Sequence, residues 1–343
     1  MQVEVDALDK NNTWQLVTLP PSKNIVGCKW VYRVKYKSDG SIERYKARLV
    51  AKGYTQEEGL DYFETFSPVT KLTTVRTLLA ISSAKSWFLE QLDVNNAFLH
   101  GDLPEEVYMV PPPGYCQPND TRVCKLIKSL YGLKQASRQW FHKLTVCLLD
   151  FGYLQSKSDC SLFVKHKGDS FTALAVYVDD IILAGNDMVE IQQVKDHLHS
   201  KFTIKYLGKL RYMLGIEVAQ SDKGIVLSQR KYALDLLKDT GYLGSKPAST
   251  PMGSKLRLKV TSGELLSDAS EYRRLIGRLV YLTITRPDLS FAIQNLSQFM
   301  SAPRTEHMSA AHRVLRYIKG APGYGILLPR VCNLQLKAYS DSD

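Results

Sequence analysis

The sequence predicts an α+β fold, antiparallel strand pairs backed by helices, and three observations predict it. Residues 173–178 and 181–185 are short, β-branched apolar runs on either side of Asp179 and Asp180, and read as a buried hairpin. Residues 28–37 and 42–50 alternate around Asp39-Gly40, a strong two-residue turn signal. Residues 135–151, and later 270–284, 287–301 and 305–319, carry apolar side chains at helical spacing.

Taken in order, the hairpin at 28–50 comes first. Pairing across Asp39-Gly40 sets Tyr36, Val34, Tyr32 and Trp30 opposite Glu43, Tyr45, Ala47 and Leu49. The other face pairs Lys35 with Arg44 and Arg33 with Lys46, and carries Arg48 and Lys52 further along. Like charges directly opposite each other destabilise a sheet. Such a face is either simply solvated or covered by an anion, and the repetition of cationic pairs in register favours the anion. Residues 73–87 read as a helix leading into an apolar strand that ends at Asp93. The proline-rich stretch 111–120 is a loop. The helix at 135–151 turns Trp140, Leu144, Leu148 and Phe151 to the core, stops at Gly152, and keeps Gln135 and Arg138 near its polar start.

Beyond the Asp179-Asp180 hairpin a polar helix is expected near 187–201, then a strand pair at 211–219 and 224–228. A helix at 229–240 follows, with Ser228 as N-cap and Gly241 just past its end. Residues 244–268 are rich in Ser, Pro, Gly and Lys and read as a long connection. Helices then dominate. The last turns Met308, Ala311, Val314, Leu315 and Ile318 inward and Arg313, Arg316 and Lys319 outward.

The adjacent carboxylates constrain the chemistry. Desolvating an unpaired carboxylate costs several kcal/mol, and two neighbours also repel. Asp179 and Asp180 in the turn between buried strands therefore need solvent or a cation; an ordinary solvated turn is the plainer account of the pair alone. Asp93, at another strand end, supplies a third carboxylate. Mg²⁺ takes oxygen ligands. Three carboxylates on neighbouring strands suit two metals about 3.5–4 Å apart, the arrangement for in-line phosphoryl transfer.

Composition is consistent with this chemistry. The 343 residues suffice for about two domains. A net charge of +11 and a pI near 9.2 favour a polyanionic partner. Six cysteines without a C-x-x-C pair fit a reduced, intracellular protein. No apolar run approaches the ~20 residues of a membrane span. The polar N-terminal stretch carries no signal-peptide pattern, so neither membrane insertion nor secretion is expected. His197-x-His199 is too thin for a zinc site. No Walker motif and no G-x-S-x-G elbow is present.

Tyr177-Val178-Asp179-Asp180 and Leu92-Asp93-Val94-x-x-Ala97-Phe98-Leu99-x-Gly101 resemble the catalytic motifs of reverse transcriptases. Three further stretches narrow the resemblance to copia-type LTR retrotransposons: Lys46-Ala47-Arg48-Leu49-Val50-Ala51-Lys52-Gly53, Ser129-Leu130-Tyr131-Gly132-Leu133-Lys134-Gln135-Ala136 and Thr285-Arg286-Pro287-Asp288. The resemblance implies a polymerase right hand, with fingers and palm in residues 1–219, a mostly helical thumb and connection in 220–330, and the start of an RNase H domain in 331–343. It implies RNA- and DNA-directed DNA synthesis by two-metal transfer from dNTP to a primer 3′-hydroxyl. Asp93, Asp179, Asp180 and the carbonyl of Val94 would hold two Mg²⁺, with Mn²⁺ as the alternative ion. Arg48 would contact the triphosphate, and Phe98 would lie under the sugar and exclude a ribose 2′-hydroxyl, where without the family it would read as core. Gln135 would lie near the sugar and template. Arg33 and Lys46 would meet nucleic acid, and Leu214-Gly215 would grip the primer terminus. Lys205 and Lys209 are both candidates for the general acid.

The implied partners are an RNA template, a DNA primer, dNTP, and the protease, integrase and RNase H segments of a Pol polyprotein. The implied location is a cytoplasmic virus-like particle, with the nucleus as an alternative. Asp341 would be the first RNase H carboxylate; the others are absent here, so template cleavage is not expected of this chain. Two rivals are an inactive retroelement-derived RNA-binding protein and a purely structural particle component. Against the first stand the three intact carboxylates and their associated motifs, and the second has no need for Asp93 together with Asp179 and Asp180.

Overall fold

The computed structural model describes residues 1–36, 39–117, 119–253, 256–335 and 337–340. The chain forms two compact units. One comprises Met1–Leu78 with Trp87–Lys209, the other Leu79–Ser86 with Leu210–Asp343.

The first unit is built on a six-stranded antiparallel sheet. Its spatial order is Ile204–Lys209, Phe88–Val94, Asp180–Gly185, Ser170–Tyr177, Leu162–Lys167 and Leu154–Gln155. Strands at the centre are apolar throughout because both faces are covered: Ala173 to Val176 and Ile181 to Ala184 are buried without exception. Side chains alternate along a strand, so Leu92, Leu174, Val176, Ile181 and Leu183 share one face. That face packs against Trp140, Leu144 and Leu148 of the helix Ala136–Asp150 and against Ile191, Val194 and Leu198 of the helix Met188–Lys201. The second helix is capped by Asp187, which accepts from the amides of Val189 (2.9 Å) and Glu190 (3.3 Å). Asp93 and Asp180 fall on the opposite face.

The same unit contains the two-stranded ribbon of Cys28–Tyr36 and Ile42–Ala51 and a small sheet of Trp14–Val17, Val123–Leu126, Tyr108–Met109 and Ile25–Val26. The ribbon keeps the expected register from Trp30 opposite Leu49 to Lys35 opposite Arg44. Tyr36 then pairs with Ile42 and not with Glu43, because Glu43 is the extra residue of a bulge next to the turn. An N-terminal helix, Gln2–Lys10, contributes Leu8 to the core beneath the ribbon's Leu49 and Ala51.

The second unit carries a four-stranded antiparallel sheet, Tyr212–Met213, Ile216–Ser221, Gly224–Ser228 and Gly325–Pro329. Its helices Arg230–Asp239, Ala269–Leu282, Ser290–Ser297 and Thr305–Gly320 share a core that includes Leu236, Tyr272, Ile276, Leu279, Ile293, Val314 and Leu315. Two expectations are corrected. Gln229, without a side-chain cap, precedes the first of these helices in place of Ser228, since Ser228 is still paired with Glu217 and Gly325 in the sheet. The stretch 287–301 divides into a 3₁₀ turn, Pro287–Leu289, and a shorter helix, as Pro287 opens the turn and Arg286 reaches across it to Asp288 at 2.8 Å. Between Asp239 and Ala269 no helix or strand occurs among the described residues, as the composition of 244–268 suggested.

Candidate active site

Asp93 and Asp180 are direct cross-strand partners on the adjacent strands Phe88–Val94 and Asp180–Gly185. Opposed residues on one face have Cβ atoms roughly 4.5–5.5 Å apart. On the other side of Asp93 its partner is Lys205. Gln91, two residues before Asp93 and therefore on the same face, donates from Nε2 to Asp180 Oδ1 at 3.2 Å. Both carboxyls are half-buried and both are held above the usual carboxylate range. Burial is the main cause at Asp93, reinforced by Asp179 and opposed by Lys205, Lys46 and Arg48. At Asp180 burial again leads, the Gln91 hydrogen bond opposes it, and Asp179 and Asp93 add to it. The three carboxylates thus feel one another. Among the described residues no three His, Cys, Asp or Glu side chains are gathered tightly enough to form a ready-made metal set. The arrangement is an opposed pair, with the third carboxylate one residue along the chain.

The turn lies one residue earlier than the sequence pattern indicated. Tyr177 pairs with Asp180, so Val178 and Asp179 form the turn and Asp180 is the first residue of the returning strand. Val178 adopts φ of +57°, a rare conformation for a β-branched residue. Two tertiary hydrogen bonds fix it. Trp140 Nε1 donates to the Val178 carbonyl at 2.7 Å, and the Val94 amide donates to the Asp179 carbonyl at 2.9 Å.

Arg48 and Phe98 meet at Tyr131. The Arg48 guanidinium lies 4.4 Å from the Tyr131 ring centroid, and the Phe98 ring packs against the same tyrosine at 4.8 Å with the planes inclined by 64°. Phe98 sits in the 3₁₀ turn Ala97–His100 and also touches both hydrophobic cores of this unit. Gln135 is completely buried. Its amide donates to the Asp61 carbonyl at 2.9 Å and its oxygen accepts from Gln56 at 3.1 Å, so it fastens the 53–62 loop and presents no group to solvent.

Arg33 and Lys46 stand opposite each other on the ribbon face that also carries Arg48. Lys46 is held below its ordinary value, first by burial and then by Arg48, with Arg44 and Lys35 adding to it and Glu4 opposing. Crowded cations on this face thus repel as the register implied. Leu214 and Gly215 form a tight turn in the second unit, both at positive φ (+50° and +71°). The expected RNase H carboxylate, Asp341, lies outside the described residues.

Trp140 carried a legible core signal but no hint of its carbonyl partner, and Tyr131 lay inside the Ser129–Ala136 motif without a role. Gln91 was within reach of the sequence, since strand alternation puts it on the face of Asp93.

The sequence profile of the family described as reverse transcriptase (RNA-dependent DNA polymerase) matches residues 11–254. Along its whole length the chain is 50% identical to the retrovirus-related Pol polyprotein from transposon RE1 of Arabidopsis thaliana, of which it covers 24%. It is 39% identical, again over its whole length, to the retrovirus-related Pol polyprotein from transposon TNT 1-94 of Nicotiana tabacum, of which it covers 27%. The putative transposon Ty5-1 protein of Saccharomyces cerevisiae is 31% identical over 73% of this chain and 82% of its own length. The chain therefore spans about a quarter of the plant Pol polyproteins it matches. Because the matched region includes the opposed aspartates and the Val178-Asp179 turn, the chain belongs to the reverse transcriptase (RNA-dependent DNA polymerase) family.

Proposed function

We propose that this chain is the polymerase segment of a copia-type Pol polyprotein, extending a DNA primer with dNTP on an RNA or DNA template. The observation that carries the reading is the direct opposition of Asp93 and Asp180 with Asp179 in the adjoining turn. The residues fit divalent ions on chemical grounds. Their donors are oxygens, and half-buried carboxyls raised by burial and by one another are what a cation relieves. Asp93, Asp179, Asp180 and the Val94 carbonyl would hold two Mg²⁺, or Mn²⁺ in their place. Bound there, such ions supply Lewis acidity toward the primer hydroxyl and the triphosphate.

The chain's own groups do the remaining work by positioning and charge. Arg48 engages the triphosphate and Phe98 lies under the sugar. Lys205, opposite Asp93, delivers a proton from Nζ to the leaving pyrophosphate. Lys209 is opposite Glu90, about 10 Å further along at the rise of a strand, which favours Lys205. Arg33 and Lys46 meet nucleic-acid backbone, and the Leu214-Gly215 turn carries the primer end. Gln135 acts by holding the loop beside the nucleotide. Fingers and palm correspond to residues 1–219, thumb and connection to 220–330, and the start of RNase H to 331–343. Protease, integrase and RNase H segments of the polyprotein are the natural partners, in a cytoplasmic particle or the nucleus.

Primer extension on a homopolymeric template with Mg²⁺ tests the reading. Asp179→Asn is expected to retain the fold and to lower the rate on the order of a hundredfold or more. Extension at the wild-type rate by a folded Asp179→Asn protein removes the assignment.

A further inference from the structure

We infer that Tyr131 is a positioning residue that couples triphosphate binding to sugar selection, through its simultaneous contacts with Arg48 and Phe98. The inference rests on the polymerase reading and extends it to a residue outside the carboxylate set.

The contacts form a continuous series. Arg48 lies over the Tyr131 ring at 4.4 Å, within the range of a cation–π attraction. Its Nε is buried and has no hydrogen-bond partner among the described residues. The tyrosine ring is therefore a principal restraint on where this guanidinium points. Phe98 packs at 4.8 Å in an inclined arrangement typical of favourable aromatic pairs.

Tyr131 is not placed there loosely. Its carbonyl accepts from the Ala51 amide at 2.7 Å, three residues beyond Arg48 on the same strand. The next residue, Gly132, has φ of +91°, and a Cβ there would collide with the Ala51 carbonyl and the Val50 side chain. A Cβ on Gly53 would in turn collide with the Gly132 carbonyl. Two glycines thus let the 131–132 backbone press against the end of the ribbon and fix the ring beneath Arg48. The phenol also senses the catalytic corner: burial raises it, Arg48 opposes, and Asp179, Glu4 and Asp93 add to the rise.

Consequently a ring displaced at Phe98 by a 2′-hydroxyl also displaces the support of Arg48. A ribonucleotide is then penalised twice, at the sugar and at the triphosphate. Loss of the Tyr131 ring uncouples the two.

Steady-state kinetics with dNTP and rNTP on one primer–template decide the matter. Tyr131→Leu is expected to raise KM for dNTP about five- to tenfold with a smaller change in kcat. It is also expected to lower the dNTP-to-rNTP ratio of kcat/KM about fivefold. Tyr131→Phe, which keeps the ring, restores both. In a Phe98→Ala background Tyr131→Leu still raises KM but no longer changes the ratio. Should Tyr131→Leu fold poorly, Arg48→Met gives a second reading. A charge that only binds triphosphate affects both nucleotides equally, whereas the coupled arrangement lowers the ratio. A wild-type ratio in both Tyr131→Leu and Arg48→Met overturns the inference while leaving the polymerase reading intact. Absence of any primer extension by the wild-type chain overturns both.

Discussion

Val178 holds a left-handed backbone that costs a β-branched residue on the order of 1–3 kcal/mol. The expense is met locally by the Trp140 indole, which donates to the Val178 carbonyl from the buried side of the sheet. Trp140→Phe keeps most of the ring packing and removes that hydrogen bond. It is expected to cost roughly 1–3 kcal/mol, the penalty of a buried carbonyl left unpaired. It is also expected to lower kcat more than it raises KM, because Asp179 is the neighbouring turn residue. Denaturant melts alongside initial rates check both; a loss of stability with kcat unchanged would reduce Trp140 to packing. The apolar runs made this hairpin legible in the sequence but not its centre. Propensity argues against valine at positive φ, so the pattern alone sets the two aspartates at the tip. Only the tertiary partner, 38 residues away in the chain, tips the balance by one position.

At the scale of elements, one buried aspartate joins two segments of the first unit. Asp159 accepts from the Lys71 amide (3.1 Å) and Thr74 Oγ1 (2.5 Å) at the start of the helix Leu72–Lys85. It also accepts from the amide (3.1 Å) and hydroxyl (2.5 Å) of Ser161. Burial pushes its carboxyl up, but the bonds from Ser161, Thr74 and Lys71 outweigh burial and hold it below the usual carboxylate value. A depressed folded value contributes stability above the unfolded value of about 3.9, lost as pH falls through the folded one. Urea midpoints taken from pH 5 downward should therefore fall more steeply in the wild type than in Asp159→Asn, and parallel curves would contradict the assignment. Helices with a strong apolar stripe, such as Ala269–Leu282 and Thr305–Gly320, were legible because their periodicity spans several turns. Strands as short as Ile25–Val26 and Tyr108–Met109 were not, since each exists only by pairing with a segment far away in the chain.

For the molecule as a whole, a charge of +11 makes binding to a polyanion dependent on salt. If the ribbon's basic face meets phosphate, replacing Arg33 and Lys46 together by alanine weakens binding. It should also flatten the log–log salt dependence by about one unit for each lost contact. Isotherms over a salt series measure this, and an unchanged slope would make the face merely solvated. The cationic pairs were readable because a two-residue turn fixes register, and the aspartate site because Asp179 and Asp180 interrupt two apolar runs and Asp93 ends a third. The division into compact units was not, because the second unit is discontinuous in sequence. Its residues 79–86 precede the remainder by more than a hundred positions. Within that unit Ser83 Oγ donates to the Leu328 carbonyl at 2.7 Å, across 245 positions of chain. This separation has a consequence for synthesis. A ribosome adding about 5–20 residues per second delivers the early fragment well before the strand it bonds, so this unit cannot close as its first residues emerge. The first unit has all its strands once Lys209 is made, whereas the second waits on residue 328, and nascent chains halted between those points would carry a finished sheet beside an open one.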